Sequence, residues 1–271
     1  MWLYFGLVAC ASRAPELTPA QQGIAEFRGY VKQSNGEPNS LFLISEKALK
    51  LAEAFPADRQ VLLLAGEAQR AYGYEGGAED AAYHFGLGRE LGRQCLRTSG
   101  AWVVMEEIAG GRVTPAGLRR FEAQDLPCLR MLLANWLRWV EHSGHSSTVD
   151  LRPLELIAER VLELTVDGER HWRDHWAMGM AIGLDPAVGD RLADADFHFR
   201  KAESMVPDLA TPVIDRLSVY AAQKASTELV REELRGLRSK NYSTHQSSEW
   251  GLQNQRALKR AINLLGQLRE R

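Results

Sequence analysis

Apolar residues recur at helical spacing along nearly the whole of this chain, and no stretch of alternating β-branched residues is bounded by hairpin turns. Residues three or four apart share a helix face, so such a pattern buries a continuous apolar stripe only by packing helix on helix. The expectation is an all-α fold of antiparallel helical hairpins. Segment 40–55 puts Leu41, Ile44, Ala48, Leu51 and Ala52 on one face, and Pro56 stops it. Asp58 then caps a helix reaching about residue 72, with Val61, Ala65, Ala68 and Tyr72 in register and Leu62, Leu63 and Leu64 widening the apolar surface.

The punctuation continues in the same manner. Gly76-Gly77 breaks the chain before a third helix over 78–97; a short helix near Val103 ends at Gly110-Gly111. Thr114-Pro115 opens another. Segment 126–141 carries Leu129, Leu132, Leu133, Trp136, Leu137 and Val140 in helical register. Helices are expected over 153–166, 171–183, 190–206 and 211–234, the last in one or two pieces. A polar loop over 236–248 precedes a closing helix with Leu258, Ala261, Ile262, Leu265 and Leu268 on one face.

An internal repeat refines this reading. The tetratricopeptide unit places a small residue in its first helix, A-x3-F in its second, and then Pro. Ala195, Phe199, Ala202 and Pro207 reproduce the second-helix spacing. Ile44, Ala48, Leu51 and Pro56 repeat it with substitutions, and so do Ile157, Val161 and Leu164 with Glu169 in the proline slot. Ala65-Gly66 follows Pro56 at the offset by which Met178-Gly179 follows Glu169. The interval from Gly179 to Ala195 is longer than a strict unit allows, so the array is degenerate and interrupted. Residues 36–271 are read as one tetratricopeptide-like solenoid or bundle.

The N-terminus differs in kind. Residues 1–11 carry no charged side chain, and the run is far short of the about 20 apolar residues that span a bilayer. Leu7-Val8-Ala9-Cys10 fits the bacterial lipobox, in which small residues enter the signal peptidase groove and the thiol takes a diacylglycerol. Residues 1–9 are therefore read as a lipoprotein signal segment and Cys10 as the lipidated residue, although no Lys or Arg precedes the apolar run. Residues 10–35 are read as a tether and first helix. Such an anchor holds a protein on a membrane surface without a spanning helix.

Composition narrows the function classes. A net charge of −2, with no basic stripe among the arginines, disfavours a nucleic-acid partner. Three cysteines without CxxC spacing do not form a zinc or redox motif. Cys95 and Cys128 are either a disulfide or two buried thiols, and the sequence leaves both open. His171 and His175 stand four apart, as zinc ligands do, but Trp172 occupies the place of the zincin glutamate. At most a two-histidine site with Asp174 or Glu169 remains, so no metal is assigned. Gly86, Gly88 and Gly92 miss the dinucleotide spacing and read as close helix packing. With no GxSxG, P-loop or HExxH, neither a catalytic residue nor a cofactor is assigned, and the chain is expected not to be an enzyme. Tyr72, Tyr74, Trp136, Trp139 and Trp176 are the candidates for lining a ligand passage, against the plainer reading of core packing.

One block carries a resemblance. The run Ala48-Leu49-Lys50-Leu51-Ala52-Glu53-Ala54-Phe55-Pro56-Ala57-Asp58, followed by Leu62-Leu63-Leu64-Ala65-Gly66 and Ala71-Tyr72-Gly73-Tyr74, resembles the T-component (TatT) family of bacterial TRAP transporters. Leu126-Pro127 ahead of Trp136, and 254–268 with Arg256-Ala257 and Leu264-Leu265, resemble the family's middle and C-terminal helix. Pro186-Ala187-Val188-Gly189-Asp190 resembles its Pro-Ala-x-Gly-Gly-Asp turn with one glycine missing. The resemblance implies a periplasmic lipoprotein of helical hairpins around a central passage, anchored to a membrane, the outer one by preference. It also implies a periplasmic solute-binding protein as partner and self-association, while the aromatic candidates named above suit an apolar or amphipathic ligand in such a passage. The alternative is a general tetratricopeptide-like adaptor of the cell envelope.

Overall fold

A computed structural model describes residues 17–33, 38–74, 78–103, 112–143, 151–165, 170–185, 189–223, 227–237, 240, 242–244 and 250–269. Cys10 and the whole signal and lipobox segment lie outside them. The described residues are helical with no strand. In chain order the helices are α1 (Pro19–Gln33), α2 (Pro38–Ala54), α3 (Arg59–Gly73), α4 (Ala78–Arg97), α5 (Pro115–Leu118), α6 (Leu126–Ser143) and α7 (Arg152–Leu164). They continue as α8 (Trp172–Gly183), α9 (Leu192–Met205), α10 (Thr211–Ala222), α11 (Thr227–Gly236) and α12 (Gly251–Arg269). Segment 211–234 thus divides into two helices.

The ends follow from local chemistry. Asp58 accepts the Val61 N–H at 3.0 Å and opens α3. Thr114 accepts the Gly117 N–H at 3.1 Å and opens α5. His171 does the same for α8, its Nδ1 accepting the Arg173 N–H at 3.2 Å, while Asp174 reaches back to the His171 N–H at 3.0 Å. This reciprocal box satisfies two donors that the first turn would otherwise leave orphaned.

Helices adjacent in sequence pack on one another, as hairpins do: α1 on α2, α2 on α3, α3 on α4, and without a break from α6 to α12. A second set of contacts joins alternate helices: α3 to α6, α6 to α8, α8 to α10, and α10 to α12. These five form an inner row, with the other helices laid outside. The tetratricopeptide register explains the α8–α9 hairpin. Ala195, Phe199 and Ala202 are fully buried, and a Cβ on Gly179 would come within 3.0 Å of the Phe199 ring. The small residue therefore creates the slot that the large one fills. A second copy stands on α4, where Ala81, Phe85 and Gly88 have the same spacing and are buried. There the Phe85 ring lies against Gly73, 3.0 Å from where its Cβ would be.

Helices α4 and α6 pack closely. A Cβ on Gly92 would lie 2.7 Å from Leu132 Cα, and one on Gly88 would lie 2.2 Å from Asn135 Oδ1. Lacking side chains, these glycines let the two helices approach backbone to side chain. Next along the seam, Cys95 and Cys128 form a disulfide, their Cα atoms 5.6 Å apart and both side chains buried. The guanidinium of Arg59 covers it, at 3.4 Å from Cys128 Sγ and 2.9 Å from Asp125 Oδ1. Such bonds persist in oxidising compartments, so the bridge points to an extracytoplasmic location. Among the described residues no helix is long and apolar enough to cross a membrane.

The closing helix departs from its expected face at one position. Ala257, Ala261 and Leu268 are buried, whereas Ile262 is 60% exposed. The buried stripe instead runs through Asn254, which holds α12 in place: its Oδ1 accepts the Ala210 N–H at 2.8 Å, and its Nδ2 donates to the Asp208 and Ser243 carbonyls.

Candidate functional site

The inner row converges around Arg138, with α3 reaching it through Tyr74 just past its end and α12 through Asp215 and Glu141. This side chain, fully buried on α6, donates from Nε to Tyr74 Oη at 2.9 Å and from Nη1 to Glu141 Oε2 at 2.5 Å. Both Nη atoms reach the Asp215 carboxylate of α10, Nη1 at 3.2 Å. Trp176 of α8 donates to Asp215 Oδ2 at 2.7 Å. Arg260 of α12 donates to Asp215 Oδ1 at 2.6 Å and to Glu141 Oε1 at 2.8 Å. The guanidinium of Arg138 also lies 5.3 Å from the Tyr74 ring centroid and 5.0 Å from that of Trp176. Two guanidiniums and two carboxylates thus cancel in charge while pinning the five helices together.

The electrostatics follow from that closure. Burial pushes the Asp215 carboxyl up, but Arg138 and Arg260 outweigh it, and the donors from Arg138 and Trp176 help hold it below the usual aspartate range. Burial works against the charge on Arg138 as well, yet Asp215, Tyr74 and Glu141 keep its pKa well above the ordinary value. A buried pair of this kind is strongly destabilised when one partner goes, because the other charge is left stranded.

Pockets of about 410 and 270 Å³ open at Glu141, one beside Arg260 and one beside Asp215, and two smaller pockets lie toward α3 and α8. The first, about 250 Å³, is lined by Leu63 and Glu67 of α3, Arg130, Met131 and Ala134 of α6, and Arg173, Trp176 and Ala177 of α8. The second, about 100 Å³, is lined by Arg70 and Tyr74 from the α3 end, Trp172, and Arg256, Ala257 and Arg260 of α12. The ion pair Glu67–Arg70 stands between them, Glu67 on the first pocket and Arg70 on the second. Helices α3 and α12, far apart in the chain, therefore share one cavity wall.

The sequence candidates separate into two groups. Tyr74 and Trp176 meet at Arg138 and line the pockets. Tyr72 lies elsewhere, packed between Phe42 and His84 at ring distances of 5.7 and 4.5 Å. Trp136 and Trp139 sit beneath Arg89 and Arg93 on the α4 side of α6, Arg89 lying 4.3 Å from the Trp139 ring centroid. His171 and His175 do not converge, since His171 caps α8 while His175 pairs with His198 of α9, Nδ1 to Nδ1 at 3.1 Å. Among the described residues no three His, Cys, Asp or Glu side chains are grouped to hold a metal.

Sequence spacing passed over the charged residues that define the site. No arginine stripe exists along any one segment, but the fold gathers Arg70, Arg138, Arg173, Arg256 and Arg260 from four helices. A signal was present for Arg138: it follows Met131 and Ala134 at helical spacing in a helix rich in buried apolar residues. No model of a protein family matches the chain, and no curated protein sequence matches it.

Proposed function

We propose that this protein is an extracytoplasmic helical scaffold, tethered by a lipid at Cys10, that works beside a solute-binding protein as the T-component of TRAP transporters does. The observation that carries the reading is the Cys95–Cys128 disulfide inside an array of helical hairpins, since it supports life outside the cytoplasm for a fold well suited to holding another protein. The lipobox at residues 7–10 and the block 48–74 support it from the sequence side. The pockets beside Arg138 would be the ligand passage, and the scaffold would bind and release rather than transform, so no catalytic role is given to any residue.

The test is affinity capture of the tagged full chain from the envelope of its native host after mild crosslinking. Recovery of a periplasmic solute-binding protein, encoded near TRAP permease subunits, is the expected result. Recovery of other envelope assemblies in its place would favour the general adaptor, and recovery of the chain alone would overturn partner binding.

A further inference from the structure

The pockets around Arg138 fall into two sets along the inner row. Alternate helices of a hairpin array run in the same direction, so on α6, α8, α10 and α12 residue number measures position along one common axis. On α6 the two smaller pockets reach Ala134, and the two larger ones begin at Glu141. On α10 Thr211 lines the first set and Ser218 the second. On α12 Ala257 and Leu264 divide in the same way. Between the two sets lie Arg138, Asp215 and Arg260, with the Trp176 indole bonded to Asp215. The charged cluster is therefore a partition across the row.

One member of that partition differs from the rest. Arg260 lines the pocket of about 100 Å³ on one side and the pocket of about 410 Å³ on the other. It stands three residues after Ala257 and four before Leu264, so all three share one face of α12. Its side chain is 27% exposed, whereas those of Arg138 and Asp215 are fully buried.

The hydrogen bonds say which cation can leave. Withdrawal of Arg138 would take a partner from Tyr74, Glu141 and Asp215 at once and leave a buried charge behind. Withdrawal of Arg260 strands nothing. Asp215 keeps Arg138 and the Trp176 N–H, Glu141 keeps Arg138, and the partly exposed guanidinium exchanges two carboxylates for water. Its long side chain can make that swing by rotamer changes alone.

From this geometry we infer that the charged layer is a closed gate across the inner row and that Arg260 is its latch. Rotation of Arg260 toward solvent joins the pockets on either side of it, while Arg138, Asp215 and Trp176 keep the helices pinned. This gives a regulation to the passage proposed above and rests on that reading of the pockets. It assigns no solute and needs no docked partner.

Two measurements on the full chain test it. In the wild type, the Nη hydrogens of Arg260 are expected to exchange with solvent at least about tenfold faster than those of Arg138, as read by nuclear magnetic resonance. In a crystal structure of Arg260→Ala, the two pockets should form one continuous opening past Asp215, and this variant should melt closer to the wild type than Arg138→Met does. Exchange at Arg260 as slow as at Arg138 would overturn the latch, and that result needs no variant to fold. Pockets that stay separate in Arg260→Ala, or a melting temperature as low as that of Arg138→Met, would overturn it as well. A joined opening in a chain that captures no partner would leave the gate standing and count against the scaffold reading; separate pockets in a chain that captures a solute-binding protein would do the reverse.

Discussion

Arg138 and Asp215, 77 residues apart in the chain, form a two-point ion pair in which neither side chain is exposed. This pair joins the first half of the inner row to the second. Arg138→Met is expected to lower the unfolding free energy by about 3–5 kcal/mol, since it leaves Asp215 and Glu141 buried with only Arg260 to answer them. Asp215→Leu should act similarly. The double variant should lose much less than the sum of the two, because it strands neither member of the pair. Urea denaturation of the three variants measures the coupling, and strict additivity would contradict a shared network.

The disulfide makes a separate contribution. Its closed loop spans a sequence separation of 33. Constraint of the unfolded chain by a loop of that length is worth about 3–4 kcal/mol. Cys95→Ser with Cys128→Ser should therefore lower the unfolding free energy measured in urea by that amount, and a reductant should do the same to the wild type. No change in either case would show that the bridge is absent in solution.

Gly92→Ala tests the α4–α6 seam. The new methyl would meet the backbone of Leu132, which cannot rotate away as a side chain can. Overpacking of this kind costs about 1–3 kcal/mol, against about 1 kcal/mol gained from helix propensity. Net destabilisation is the expected sign. Gly266→Ala on α12, where a Cβ meets nothing within 4 Å, should be stabilising instead. Thermal melts of the two variants compare them directly.

Stability should also fall on mild acidification. His198 is pushed down to about 4 by burial and by His175, with Asp194 pulling the other way and Arg170 adding to the depression. Its neutral form is thus favoured in the fold, and between its unfolded value of 6.5 and about 4 the unfolded chain binds the extra proton. The contribution is fully present above pH 6.5 and is lost as the pH drops toward 4. His84, His142 and His171 are lowered as well, each first by burial, and act with the same sign. Replacing His198 with Gln should flatten part of the decline in melts taken across that range, and an unchanged slope would contradict this origin.

Much of this architecture was legible in residue spacing, because helix faces are periodic and caps are local. The faces of Ile44, Ala48 and Ala52, and of Val61, Ala65 and Ala68, came through, as did the Gly179 slot for Phe199. The glycines at 88 and 92 declared close packing without saying against what. The site was far less legible. Apolar spacing finds stripes within one helix, whereas the cluster at Arg138 takes single residues from several helices, and a buried ion pair leaves no periodic trace in any of them. Trp136 and Trp139 looked like Trp176, because all three share helical spacing, and only the fold turns the first two beneath Arg89. Neighbouring residues can even serve opposite faces. Asp215 joins the inner cluster, while Arg216 pairs outward with Glu203 and Glu233, at 2.7 and 2.5 Å.

The proposed scaffold stands outside the cytoplasm with Cys10 carrying a lipid. Alkylation of intact cells of the native host, followed by peptide mass spectrometry, reads all three cysteines at once. The expected result is Cys10 as a lipid thioether at the mature N-terminus, with Cys95 joined to Cys128. Recovery of Cys10, Cys95 and Cys128 as three alkylated thiols would contradict it.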